Sequence, residues 1–203
     1  MSDKTHPLDQ LGQANEESYH RSQDAALIDE LRKRLQNEAQ VESIKAETGV
    51  ADDAVLARLA ELGITSEMVP VLHLVPLFDV AWADGEVQDG ERVLLNEAAT
   101  ATGITEGPAR ALFEKMLSEP PDAKLVAASM AFISSLLHVL PEGEAEAAKN
   151  NLIDLSLRVA DACGGVFGLW GRIEESERSA LNRVAERLSA GHPDAAKSLL
   201  DRL

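Results

Sequence analysis

Cysteine is almost missing: Cys163 stands alone in 203 residues. No intrachain disulfide can staple the fold, and a reducing compartment is the expectation. Aromatic side chains are nearly as scarce, at 3%. Sheets draw on β-branched and aromatic residues, whereas helices pack well with Leu and Ala, so a Leu/Val/Ala core between helices is expected. Basic charge is outnumbered, 19 Lys and Arg against 35 Asp and Glu, for a net charge of −16. Phosphate backbones are recognised by clustered cations, so the balance argues against nucleic acid as a partner and against an anionic membrane surface. No apolar run approaches transmembrane length. Met1-Ser2-Asp3-Lys4-Thr5-His6-Pro7 has no apolar core of a secretory signal. A cytoplasmic protein without stable membrane insertion is the expectation.

Hydrophobic residues nevertheless make up 45% of the chain, and they recur at helical spacing. No segment alternates as a strand would. The expected fold is all-α, a compact helical bundle. Residues 1–23 are polar and without apolar periodicity, and are expected to form a disordered tail. Residues 24–48 read as a helical arm. Its apolar positions are Leu27, Ile28, Leu31 and Leu35, and its outer face carries Asp29, Glu30, Arg32, Lys33 and Arg34. Such a helix serves either as an interaction arm or as a helix leaning on the core; it lacks the heptads of a coiled coil.

Residues 50–203 read as the bundle itself. A short helix starts at Asp52 or Asp53, runs through Leu56, Leu59 and Leu62, and stops at Gly63. The most apolar stretch, from 69 to 82, predicts a helix buried at the middle of the domain and kinked at Pro76. The spacing then predicts a helix over 88–102 with Val93, Leu94, Ala98 and Ala101 inward. Next come one opened by Pro108 and ended by Pro120-Pro121, and strongly apolar helices over 122–140 and 144–163. A glycine-rich apolar loop covers 164–171, and two further helices cover 174–188 and 193–203.

Between the apolar stretch and the helix over 88–102 lies an acidic turn, Ala83-Asp84-Gly85-Glu86-Val87. Gly85 suits a left-handed helix stop, and Glu91 stands where the partner of a capping box at Gln88 belongs. An EF-hand is rejected, because with Gly85 at the sixth loop position Val80 and Trp82 would fall where calcium needs oxygen ligands. A looser divalent site remains open, with Asp79, Asp84, Glu86 and Glu91 converging on the turn. The alternative is that Asp84 and Glu91 tie the turn's own N–H groups. His73 and His138, both in apolar helices, could with a carboxylate suit a transition metal, or could be hydrogen-bonded core histidines. No HExxH, GxSxG or phosphate loop is present. Phe167, Leu169 and Trp170 in the glycine-rich loop offer a protein-docking site or fold inward to close the bundle.

The turn has an echo. Gly85-Glu86-Val87-Gln88-Asp89-Gly90-Glu91-Arg92 can be laid on Gly171-Arg172-Ile173-Glu174-Glu175-Ser176-Glu177-Arg178, with Leu95 then meeting Leu181. Two degenerate helix–turn–helix repeats follow from that alignment, with Trp170 standing where the first copy has Asp84. Val80-Ala81-Trp82-Ala83-Asp84-Gly85-Glu86-Val87, then Glu91, Leu94 and Leu95, resembles the TerB-like family of tellurite-resistance and co-chaperone-associated domains. The resemblance covers about residues 50–190, with specific matches confined to the first turn and its echo. It implies an all-helical, non-enzymatic module that binds a partner protein or a divalent cation, in a stress response of the tellurite type. The alternatives are a metal-dependent enzyme built on Asp84-Gly85-Glu86, and an adaptor acting through the 24–45 helix.

Overall fold

Helices are the only regular structure among the described residues of this computed structural model: 7–141, 143–145, 147, 148, 150–152, 156, 158, 178, 179, 181–184 and 186, with backbone alone over 7–26. No helix among them is long and apolar enough to cross a membrane. The chain divides into two units, Met1–Ala39 and Gln40–Leu203. One helix, α1 (Pro7–Thr48), supplies residues to both.

In the first unit α1 starts at Pro7, not at Asp24, so residues 7–23, expected within a disordered tail, are helical. The Leu, Gln, Glu and Ala residues that follow favour a helix without needing an apolar face, which is why periodicity misses it. Farther along, Leu27, Ile28, Leu31 and Leu35 are all exposed, between 47% and 65%. Arg32 pairs with Asp29 and Arg34 with Glu38 along the same helix. Exposed pairs of this kind contribute roughly 0.3–0.5 kcal/mol each, too little to order an arm by themselves.

In the second unit the last turns of α1 are part of the core, for Ile44 has no exposed surface. α2 (Asp53–Glu61) is capped by Asp52, whose Oδ1 accepts from Val55 N–H at 3.2 Å. It buries Leu56 and Leu59 completely. Gly63 stops it at φ +75°, with Ile64 N–H reaching back to Leu59 C=O at 3.0 Å, the bond of a Schellman motif. α4 (Asp89–Ala101), α5 (Gly107–Ser118) and α6 (Ala123–Val139) follow the apolar stretch. The described residues from 143 to 158 and from 178 to 186 are helical too, with Ala145, Leu181 and Val184 buried.

The apolar stretch is the middle of this unit, as its composition predicts, but it is not one kinked helix. It forms a 3-10 helix (Ser66–His73), then α3 (Val75–Ala81), then a single 3-10 turn (Trp82–Asp84). The reason is Pro76, which has no amide to offer Leu72 C=O and no room for that carbonyl in a continuous α-helix. The chain therefore restarts at Leu74, placing Pro76 in the first turn of α3, where its ring is tolerated. The Leu72 carbonyl is taken instead by the hydroxyl of Ser129 on α6, itself fully buried. α3 then buries Val75, Leu77, Phe78, Val80 and Ala81, with Phe78 edge-on to Phe113 of α5 at 5.3 Å between ring centroids.

Ser129→Ala keeps the packing of α6 but strands the Leu72 carbonyl in the core. A buried acceptor left without a donor costs about 1–3 kcal/mol, so the urea midpoint should fall by that free energy divided by the slope, with the slope unchanged. A loss within about 0.5 kcal/mol, the range of an inert surface change, would remove the bond's role.

Candidate functional site at the acidic turn

The turn between α3 and α4 is built by its own carboxylates. Gly85 sits at φ +103°, a conformation costly for any residue with a Cβ, and donates its N–H to Trp82 C=O at 3.0 Å. Asp84 Oδ1 accepts from Glu86 N–H at 3.1 Å, and its Oδ2 accepts from the Gln88 side-chain amide at 3.0 Å. Gln88 and Glu91 stand in the capping-box arrangement expected from their spacing. Its short half is Gln88 N–H donating to Glu91 Oε2 at 2.7 Å. Hydrogen bonds to an ionised carboxylate are the stronger kind, and they satisfy amides that a helix start leaves without partners.

This cap sets the rotation of α4. Glu91 is the one charged side chain with no exposure among the described residues. With Glu91 turned inward, Leu95, Ala98 and Ala99 follow it into the core. Val93 and Ala101, expected inward, are exposed instead, Val93 by 58%. Leu94 is half-buried and Ala98 buried, as expected. Apolar periodicity assigned the helix face by hydrophobicity alone, whereas a charged residue holding a cap decides it here.

The four carboxylates are not brought together. Asp79, on α3, accepts from Arg183 at 3.3 Å. Asp84 and Glu91 are spent on the turn, and Glu86 is exposed. Among the described residues no three His, Cys, Asp or Glu side chains group closely enough to hold a metal ion. The two histidines fare likewise. His73 is half-buried in the 3-10 helix, edge-on to Phe132 at 6.5 Å between ring centroids. Burial holds its pKa below the ordinary 6.5, with a hydrogen bond to the Pro70 backbone pulling weakly the other way. His138 is exposed on α6, its Nδ1–H donating to Ser134 C=O at 2.7 Å. Phe167, Leu169, Trp170 and Cys163 lie outside the described residues, as do positions 171–177 of the repeat.

A tether from the turn to α5 was not foreseen. α5 ends without a glycine, at an extended Glu119, so its last carbonyls need outside donors. Trp82 Nε1–H donates to Met116 C=O at 2.8 Å, and Arg92 Nη2 reaches Leu117 C=O at 3.5 Å. The indole flagged itself in part, since a partly buried Trp N–H needs an acceptor. Its acceptor 34 residues later had no sequence signal. Comparison with protein-family models, with curated proteins and with solved structures finds no match for the chain.

Two outcomes follow from this geometry. Glu91→Ala removes the carboxylate acceptor and should cost about 1–2 kcal/mol, while Glu91→Gln, which still accepts from Gln88 N–H, should cost clearly less; equal losses in urea titration would overturn the capping role. His73 supplies a pH dependence. Its folded pKa is lowered, so the unfolded chain binds the proton first as pH falls below about 6.5. The stability that neutral His73 contributes is therefore complete above that pH and is lost toward the folded pKa, by at most about 1.4 kcal/mol per pH unit. Between neutral pH and mild acid the wild type should lose more stability than His73→Gln, and parallel curves would refute the assignment.

Proposed function

We propose that this chain is a non-catalytic, TerB-like helical module that works by holding a partner protein, with the arm of α1 as its binding element. The observation that carries the reading is the row Leu27, Ile28, Leu31 and Leu35, four large apolar side chains exposed on one helix. Single exposed hydrophobes need no explanation, but a contiguous set on one side of a helix suits insertion into a partner's groove. The divalent-cation half of the expectation has less support, since Asp84 and Glu91 hold the turn and Asp79 holds Arg183. A metal-dependent enzyme on Asp84-Gly85-Glu86 would need the same carboxylates free to ligate. The TerB-like assignment rests on the sequence resemblance and the two repeats on the internal alignment, with Leu181 and Val184 buried where that alignment places counterparts of Leu95 and Ala98. A tellurite-type stress setting rests on that resemblance alone.

A photo-crosslinking residue at position 31, in the full chain in its own cells, should trap one discrete protein adduct. Leu27→Glu with Leu35→Glu should abolish it while the melting midpoint stays put, exposed substitutions costing no more than about 0.5 kcal/mol. An adduct indifferent to both changes, or none, overturns the arm as the binding element. Calcium, magnesium, manganese and zinc should leave that midpoint unmoved; a stabilisation of about 2.7 kcal/mol at a hundredfold excess over Kd would reinstate the cation.

A further inference from the structure

Within the second unit, α2, α5 and α6 leave a groove of about 490 Å³. Its apolar floor is Leu62 and Ile64 from the stop of α2, Leu112 and Met116 from α5, and Leu125 from α6. Ile64, Met116 and Leu125 are themselves buried, so the floor is sealed and shallow. Pro120 and Pro121 form a wall that cannot relax far, because each ring locks its own φ. A preformed apolar recess of this size accepts one anchoring side chain without first being opened.

Charge at the rim is asymmetric. Lys115, Glu119 and Asp122 border the groove, and Lys115 already pairs with Glu119 at 3.3 Å across exposed surface. Asp122 adds a second carboxylate, which caps α6 through Lys124 N–H at 2.6 Å and so covers that helix's positive end. The groove also lies at the C-terminal end of α5, where the helix dipole favours a cation. Around it the whole chain carries −16. Lys115 opposes these terms, and two carboxylates against one ammonium leave the balance in favour of a positively charged visitor.

We propose that this groove receives a partner-protein segment consisting of one apolar anchor residue flanked by Lys or Arg. The proposal rests on the partner-binding reading above and adds a second contact, in the bundle rather than on the arm. The anchor fills the recess over Met116, and the flanking cation lies between Glu119 and Asp122 at the end of α5.

The test uses the full chain with ¹³C-labelled methionine methyls and two short amphipathic peptides, one of Leu and Lys, the other with Glu replacing every Lys. Met116 lines the groove, while Met130 lines a separate recess beside Asp52 and Ser135 and serves as the internal control. The Leu/Lys peptide should shift the Met116 methyl saturably, about tenfold more tightly than the Leu/Glu peptide, and less tightly as salt is raised. Glu119→Lys should weaken binding about fivefold and Lys115→Glu should strengthen it; both positions are exposed, so neither change threatens the fold. A silent Met116, a Met130 shift in its place, equal response to both peptides, or two charge variants moving affinity in the same direction would each overturn the proposal. If the arm adduct persists while Met116 stays silent, the groove alone is refuted. If Met116 responds and the adduct is absent, the arm is refuted and the groove stands.

Discussion

Pro76 has no amide hydrogen, and much of the bundle is arranged around that absence. A continuous helix through 69–82 would leave Leu72 C=O facing a proline ring. The chain instead passes through a 3-10 segment, restarts as α3, and gives the carbonyl to Ser129 of α6. That buried bond joins the central segment directly to α6. α3 ends after two turns, and Trp82, which follows it, donates its indole N–H to Met116 C=O near the end of α5. One missing hydrogen thus has consequences at the start of α3 and at α6.

The second organising feature is the use of negative charge as a local hydrogen-bond acceptor. Asp52, Asp84, Glu91 and Asp122 each accept backbone N–H groups at turns or helix starts. A carboxylate placed there is stabilised by the helix dipole and by donors that would otherwise be empty. A chain with 35 acidic residues can therefore look rich in metal ligands while several of them are engaged in ending and starting helices. Glu91 carries this furthest, since its burial also sets which side of α4 meets the core.

Two surfaces among the described residues differ in kind. The arm offers exposed apolar side chains on a helix with i,i+3 and i,i+4 ion pairs. The groove is concave, sealed and rimmed by charge.

Composition and spacing alone determined the all-helical class, the stop at Gly63, the break at Pro120-Pro121, the capping box at Gln88 and Glu91, and the burial of the apolar stretch. Each of these depends on a residue and its neighbours within one or two turns, the range over which propensity, capping and periodicity act. The polar helix from Pro7, the outward face of Val93, and the destinations of Asp79, Trp82 and Ser129 could not be read in the same way. A polar helix has no period to detect, and a helix face follows from the most demanding group on it, not from the most hydrophobic. The partners of those last three residues lie 104, 34 and 57 positions away, and only folding brings such distances within reach of a hydrogen bond.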